Sequence, residues 1–315
     1  MNFNRIYGVS YSNNATIWSR VGRLAALWQI WPGVFDLMLR VLSTHLFLNQ
    51  RLHPGLLELA GRAGAQAVEI FAARQHFDYT SRDHVMELAT WFRSNPMEPF
   101  SMHAPLFPDR EMGRAGAPPV NVLHPDKGRR IDAMDEIKRA LESAEHIPLR
   151  HLVVHLGEST DMWSPRSMEY ALTALEHLGA FARPLGVKVL VENLMSEPTT
   201  PEHLVTILDL GHLDSVGVCL DLGHAHATVG IDEAVSTLSK RIVSMHVHDN
   251  HGVRDEHLWP GEGTIDWAKT AGLMQSLPTL PAAVLEISYS LNDEPASVPD
   301  KIRAGFEKLT GAASH

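Results

Sequence analysis

Cysteine is almost absent from this chain, which has a single one, Cys219, among 315 residues. One thiol cannot form an internal disulfide, and it cannot supply the thiolate set of a closed structural zinc site. Cys219 lies within an apolar run, so we interpret it as a packed core residue and not as a nucleophile. This cysteine usage favours a reducing compartment.

Long apolar runs are also missing. No stretch reaches the roughly 18 uninterrupted apolar residues of a membrane span. The nearest candidate, residues 24–42, is interrupted by Pro32, Asp36 and Arg40. Near the N-terminus no small-residue cleavage site follows an apolar core, so a secretory signal is not expected. We therefore predict a cytoplasmic protein that does not insert into a membrane.

Positive charge is scarce: 27 Lys and Arg face 37 Asp and Glu, for a formal charge of −10. Nucleic-acid binding rests on Lys and Arg that neutralise phosphates, so this balance disfavours a nucleic-acid partner unless a local basic groove exists. A glycine-rich phosphate loop of the Walker type is absent as well.

What is present is a regular alternation of short apolar runs and helical patterns. The predicted strands are residues 43–48, 67–72, 100–104, 151–156, 188–192, 216–221, 242–248 and 283–287. The helical patterns are residues 54–63, 83–93, 130–146, 167–183, 201–210, 231–238, 267–277 and 297–309, with N-caps such as Ser81, Thr200 and Asp266. Continuous apolar strands are typical of a parallel sheet covered on both faces. Eight such units predict an α/β fold, a single (β/α)8 TIM barrel over residues 42–315.

Residues 1–41 precede this barrel and form a predicted N-terminal extension that contains Trp18, Trp28 and Trp31. A helix-like pattern over residues 21–40 would cap the barrel bottom or make a homo-oligomer contact. The alternative is a poorly ordered segment ahead of a natural start near Met38. A second irregular segment, residues 105–129, follows the third strand, and we interpret it as a loop over the barrel mouth.

Three carboxylates, Glu192, Asp221 and Glu286, each end an apolar run. Burying an unpaired charge is expensive, and the strands offer almost no Lys or Arg as a partner. In a TIM barrel the carboxyl ends of the strands meet at one rim, where His103, His155, His246 and His248 would join the carboxylates. Such a set favours a divalent ion, with Mn, Zn, Mg, Co and Fe left open. A hydrogen-bonded core role remains the alternative for His103 and His155.

Two motifs carry a resemblance to a known group. Asp221-Leu-Gly-His224 and Asp255-Glu-His257-Leu-Trp-Pro-Gly261-Glu-Gly263, the second after a His-x-His-Asp strand, resemble the xylose isomerase-like TIM-barrel superfamily. That superfamily holds sugar isomerases, sugar epimerases and endonuclease IV-type DNA repair enzymes. The resemblance runs from about residue 42 to the C-terminus.

The epimerase branch implies one divalent ion, held by Glu192, Asp221, His246 and Glu286, with His248 as a substitute for His246. There the two glutamates, Glu192 and Glu286, also form the catalytic acid/base pair. His224 is implied as a substrate contact. We add His248, Arg254 and Trp259 as predicted substrate contacts near the same turn.

The endonuclease branch implies three zinc ions and further ligands among His103, His155, His224, Asp255 and His257, all of which are present. The loop after the second strand offers only Arg74 with Phe77 and Tyr79, which is a poor duplex wedge. We therefore predict a metal-dependent isomerase or epimerase that acts on a sugar, sugar phosphate or polyol through an enediolate. The alternatives are an apurinic-site phosphodiesterase and a non-catalytic barrel that binds metal or sugar.

Overall fold

The computed structural model describes residues 38–108, 116–279, 281–288 and 295–309. Within them, eight parallel strands close into a barrel in chain order. The strands are β1 Arg40–Ser43, β2 Ala67–Phe71, β3 Glu98–His103, β4 His151–Val154, β5 Lys188–Glu192, β6 Gly217–Asp221, β7 Ile242–Val247 and β8 Ala282–Leu285. The predicted (β/α)8 TIM barrel is confirmed.

Helices follow the strands around the outside of the barrel. They are α1 Pro54–Arg62, α2 Arg82–Ser94, α3 Lys127–Leu141, α4 Pro165–Ala182, α5 Pro201–Leu210, α6 Leu222–Ala227, α7 Ile231–Leu238, α8 Trp267–Gln275 and α9 Val298–Leu309. The predicted caps Ser81, Thr200 and Asp266 each accept a backbone N–H of the first turn. Among the described residues, no helix is long and apolar enough to cross a membrane.

The first strand lies earlier in the chain than predicted. It covers Arg40–Ser43, and residues Thr44–Phe47 form a 3-10 helix instead of continuing the strand. The Ser43 side chain accepts from the backbone N–H of His45, and the Thr44 hydroxyl accepts from that of Phe71 at 2.9 Å. Leu46 and Phe47 are apolar because their side chains are buried in this turn, so hydrophobicity alone misplaced the strand. Residues 1–37 of the predicted extension lie outside the described residues.

The barrel interior changes character along its axis. One small apolar cluster joins Val41, Ala67 and Phe100 with Ala282 and Val284, and another joins Val153, Leu190 and Cys219. Cys219 is fully buried, which confirms its interpretation as a core residue. Toward the carboxyl ends of the strands the inward residues become carboxylates and histidines, so the candidate site lies on an apolar floor.

Candidate metal centre

Four predicted ligands come together at the carboxyl ends of neighbouring strands. Glu192 ends β5, Asp221 ends β6, His246 lies in β7 and Glu286 directly follows β8. One ligand atom from each lies within 4.8 Å of the others, and none of the four residues is more than 3% exposed. We call these four residues the strand group.

The imidazole of His246 lies among the carboxylates. Its Nδ1 atom is 3.1 Å from Glu192 Oε1, 3.1 Å from Glu286 Oε2 and 3.9 Å from Asp221 Oδ2. A single N–H can donate to only one of these oxygens. The donor set of three buried carboxylates around one imidazole nitrogen therefore fits a bound cation that all four side chains share.

The other face of His246 contacts a carboxylate whose role the sequence analysis missed. His246 Nε2 lies 3.2 Å from Glu69 Oε1, and the Ser101 hydroxyl donates to Glu69 Oε2 at 2.8 Å. An acceptor at Nε2 fixes the tautomer in which Nδ1 is free to bind a metal. In the sequence, Glu69 stands out as a glutamate within the apolar run of β2. Nothing in that run indicates which residue the glutamate contacts.

Electrostatics in the strand group are dominated by these close pairs. Burial by itself would raise the pKa of Glu192 and Glu286, but the charge of His246 outweighs it and holds both pKa values well below their usual range. Burial would lower the pKa of His246, whereas the negative charges of Glu286, Glu192 and Glu69 raise it well above its usual value. Both glutamates are therefore ionised at neutral pH.

A second set of donors shares Glu192 with the strand group. His155 Nε2 lies 3.1 Å and His103 Nε2 lies 3.5 Å from Glu192 Oε2, and the two Nε2 atoms are 3.2 Å apart. His103 Nδ1 lies 2.8 Å from the carbonyl of Ala104. Two imidazole nitrogens that converge on one carboxylate oxygen form a group with the composition of a metal site.

The third set is carried mainly by the loop after β7. His248, Asp255 and His257 offer ligand atoms within 4.8 Å of one another, and we call them the loop group. His257 Nε2 lies 3.0 Å from Asp255 Oδ2, and the rings of His257 and His248 stack 4.0 Å apart. His224 contacts the same Asp255 oxygen through Nε2 at 3.2 Å.

His248, predicted as a substrate contact or as a substitute ligand for His246, lies next to Asp221. It is fully buried, and its Nε2 lies 3.0 Å from Asp221 Oδ2. A Cβ atom on Gly223 would lie 1.9 Å from the His248 ring, so only glycine leaves room for this histidine. Through these contacts His248 links the strand group to the loop group.

A cavity of about 340 Å³ opens above the three groups. Its polar wall includes His103, His155, Glu192, His224, Asp255, His257 and Glu286, and its apolar wall includes Phe71, Leu106, Phe107, Val120, Leu194 and Met195. Leu106, Phe107 and Val120 belong to the loop predicted to cover the barrel mouth, of which residues 109–115 lie outside the described residues. The cavity thus has a donor-rich side and an apolar side.

His45 also lines the cavity, and the sequence analysis did not select it. Burial lowers its pKa to about 4, so the ring is neutral at pH 7. Its Nδ1 atom is buried without a hydrogen-bond partner. The predicted first strand, residues 43–48, would place His45 inside the strand. In the structure the strand ends at Ser43, so His45 lies just beyond it, at the rim of the barrel.

Two predicted substrate contacts lie away from this cavity. The side chain of Arg254 is 80% exposed and is 3.8 Å from Glu256. Trp259 is 6% exposed and packs in the hydrophobic core, with the Lys301 ammonium 5.7 Å from its ring centre. Neither residue is among those that line the cavity.

The chain matches the model of the xylose isomerase-like TIM barrel over residues 57–309. The chain spans about half the length of some curated relatives that it matches. One of them is an uncharacterized protein of Methanocaldococcus jannaschii, to which the chain is 30% identical over 42% of this chain and 48% of that protein. It is 23% identical to an inosose isomerase of Bacillus velezensis over 67% of this chain and 74% of that protein. It is 28% identical to a probable endonuclease 4 of Natronomonas pharaonis over 46% and 58% of the two chains.

Solved structures share the fold. A D-tagatose 3-epimerase-like protein superposes with a TM-score of 0.68 and 23% identity, covering 88% of this chain and 100% of that chain. The IOLI protein with a binding zinc atom superposes with a TM-score of 0.66 and 19% identity, over 87% and 96% of the two chains.

Proposed function

Because the chain belongs to the xylose isomerase-like TIM-barrel family, we propose that it is a divalent-metal-dependent isomerase or epimerase. Its substrate is a sugar, a sugar phosphate or a sugar-like polyol. The observation that carries the proposal is the convergence of Glu192, Asp221, His246 and Glu286 within 4.8 Å in a buried layer beneath the cavity. The related inosose isomerase and the epimerase-like fold neighbour support the same class of reaction.

The reaction moves a proton on a carbon next to a carbonyl, and a bound divalent ion would act there as a Lewis acid that stabilises the enediolate. Glu192 and Glu286 both line the cavity and both have lowered pKa values, so each is a carboxylate that can accept a proton. One glutamate removes the proton from the substrate carbon and keeps it, and the other delivers a proton that it has first taken from solvent. His224, which also lines the cavity, donates to a substrate oxygen.

The donor set of carboxylates and imidazole is compatible with Mn, Zn, Mg, Co and Fe. The zinc atom in the solved IOLI structure makes zinc the first ion to test. Asp221 holds its carboxylate in place by accepting from the backbone N–H of His224 at 2.6 Å, and its own backbone N–H donates to the Asn193 side chain at 2.7 Å. These bonds orient the Asp221 carboxylate.

Proton exchange with solvent tests the proposal most simply. The metal-loaded protein is incubated in D₂O with a panel of ketoses and inososes, and the carbon-bound deuterium is measured by NMR. We expect label next to the carbonyl of at least one substrate, and no label with Glu192→Gln. Glu262→Gln, an exposed carboxylate near Lys301, is the matched control and should label normally. An absence of label across the panel with a saturated metal site would contradict the proposal.

A second function is favoured by one specific observation. Two further donor groups, one with His103 and His155 and one with Asp255 and His257, lie beside the strand group. Three adjacent metal sites suit phosphodiester hydrolysis, in which separate ions activate water and stabilise the leaving oxygen. The endonuclease 4 relatives match over part of the chain. Cleavage of abasic duplex DNA that falls steeply with salt would establish this alternative.

A further inference from the structure

Asp249 is a buried carboxylate whose partners are all uncharged. It is fully buried and accepts four hydrogen bonds through its side chain. Oδ1 accepts from the backbone N–H groups of Asn250 at 2.9 Å and Ile265 at 3.1 Å. Oδ2 accepts from the Gly261 N–H and from Trp267 Nε1, both at 2.8 Å. Several N–H donors of this kind stabilise a buried negative charge without a cation.

Two of these donors, Gly261 and Ile265, belong to the far part of the loop after β7, and Trp267 begins α8 directly after that loop. The Asp249 backbone also pairs with Leu258 in both directions, at 2.8 and 2.9 Å. The next residue, Asn250, accepts from the Gly252 N–H at 2.8 Å and donates to the Gly223 carbonyl at 2.9 Å. The loop of residues 251–265 is therefore tied to the end of β7 at its start, its middle and its end.

Close packing accompanies these bonds. A Cβ atom on Gly263 would lie 2.3 Å from Asp249 Oδ1 and 2.4 Å from the Asn250 carbonyl oxygen. Gly261 has a φ of +96°, a backbone conformation that L side chains rarely adopt. The two glycines of the Gly-Glu-Gly turn thus serve a defined purpose, which is to let the loop close onto Asp249.

The same loop brings Asp255 and His257 to the cavity. Asp255 reaches His224, and His257 Nδ1 reaches the Glu286 carbonyl at 3.0 Å. Asp249 does not line the cavity as described above, so it acts on the site only through the loop. His257 has a positive φ of 47°, an unusual conformation that the surrounding contacts must maintain.

We propose that Asp249 is a positioning residue: its carboxylate holds the loop of residues 251–265 so that Asp255 and His257 meet His248 and His224 at the cavity. The position of the loop follows from the contacts within this chain and does not depend on metal binding. The consequence for metal binding rests on the second candidate function above, in which the loop group also takes an ion.

The test uses Asp249→Asn in the full chain. The amide keeps the size of the side chain, but its NH₂ group faces N–H donors that the carboxylate accepted. Amide hydrogen exchange of the metal-free protein should become about tenfold faster or more over residues 251–265, while exchange in β5 and β6 stays unchanged. In a Co²⁺ titration followed by absorbance and elemental analysis, the variant should lose the loop-group ion and retain the strand-group ion.

Asp266→Asn is the matched control, since Asp266 is an exposed carboxylate that caps α8 just beyond the loop. It should leave both measurements at wild-type values. If Asp249→Asn does not fold, Trp267→Phe removes one of the four donors and should produce a smaller change in the same loop. Unchanged exchange over residues 251–265 would overturn the proposal.

Faster exchange throughout the barrel with an unaltered Co²⁺ count would also overturn it, because Asp249 would then support only general stability. If the wild-type protein bound Co²⁺ in the strand group alone, the three-metal alternative would fail, and if it bound none, the metal-dependent isomerase would fail as well. The exchange measurement on the loop would still decide the role of Asp249.

Discussion

The strand group and the loop group lie side by side, but the fold positions them in different ways. Strand-group residues are fixed by the barrel itself: Asp221 and His246 are paired across β6 and β7, and Glu192 opposes Cys219 across β5 and β6. Asp255 and His257 lie instead on a loop whose place depends on side-chain hydrogen bonds to Asp249. One group is thus specified by sheet register, and the other by a few polar contacts that can change without altering the barrel.

The two ways of positioning side chains suit different roles. A site fixed by register suits the chemistry that every substrate requires, which in the proposed function is proton transfer at carbon. A site on a loop suits features that differ among relatives, such as a further ion or the recognition of a particular substrate. If this division is correct, variants in the two groups should fail in different ways.

The largest effect is expected from Glu286→Gln, compared with Asp255→Asn. The first removes both a ligand and one proton-transfer carboxylate, so turnover should fall by roughly 10³-fold or more, while the barrel stays folded. The second should leave measurable turnover, because it spares the strand group. Rates with the substrate found in the deuterium assay, together with circular dichroism, check both. Equal losses of turnover in the two variants would contradict the different roles assigned to the strand group and the loop group.

Metal removal should have the next largest effect. An ion that binds only the folded state at 100 times its Kd adds about 2.7 kcal/mol to the free energy of unfolding. We expect chelation to lower the Tm of the wild type, and to lower it far less in Asp221→Asn, where the strand group is broken. Differential scanning fluorimetry with and without Mn²⁺ measures both shifts. A Tm that does not depend on metal would contradict the proposed binding.

Gly263→Ala should disturb the loop group alone. Its new methyl group would overlap Asp249 and the Asn250 backbone, at an expected loss of about 1–3 kcal/mol in the free energy of unfolding. Gly272→Ala is the matched control. Gly272 lies within α8, and a Cβ atom on it would meet nothing within 4 Å. Urea denaturation checks stability, and Co²⁺ titration should show loss of the loop-group ion only in Gly263→Ala. Similar behaviour of the two variants would count against the close fit at Asp249.

The smallest expected effect is the loss of stability at acidic pH that comes from one buried histidine, His76. This residue belongs to neither the strand group nor the loop group. Burial lowers the pKa of His76 to about 4, and the residue is 0% exposed. Since the unfolded chain binds its proton near pH 6.5, stability is fully present above that pH and is lost as the pH falls toward 4. From pH 7 to 5.5 the loss from this residue should be about 1 kcal/mol.

Denaturant unfolding of the metal-free protein at the two pH values measures this loss. His76→Asn should reduce the pH dependence, whereas the exposed His146→Asn serves as the control and should not. An unchanged pH dependence in His76→Asn would show that the buried ring does not titrate as described.

The barrel and the strand group were predictable from sequence because each depends on local patterns. Apolar runs that end in Glu192, Asp221 and Glu286 mark both the strands and the rim where their side chains meet. Caps such as Thr200 and Asp266 are equally local signals. The order of strands in a parallel barrel then brings these side chains together, so predicting that they meet requires no information about loop conformation.

What the sequence analysis missed depends on contacts between distant segments. His45 was overlooked because a 3-10 turn has the same apolar pattern as a strand. Glu69 contacts His246, a residue 177 positions away, so no spacing rule could pair them. The surroundings of His248 and the role of Asp249 likewise follow from how the loop closes, and polar residues in a loop carry no periodicity that would reveal it.

Anomalous diffraction from crystals grown with Co²⁺ decides whether the four residues of the strand group bind one shared cation. Our account predicts a strong anomalous peak enclosed by Glu192, Asp221, His246 and Glu286. A map without a peak among these four side chains, in crystals where Co²⁺ is bound elsewhere, would contradict it.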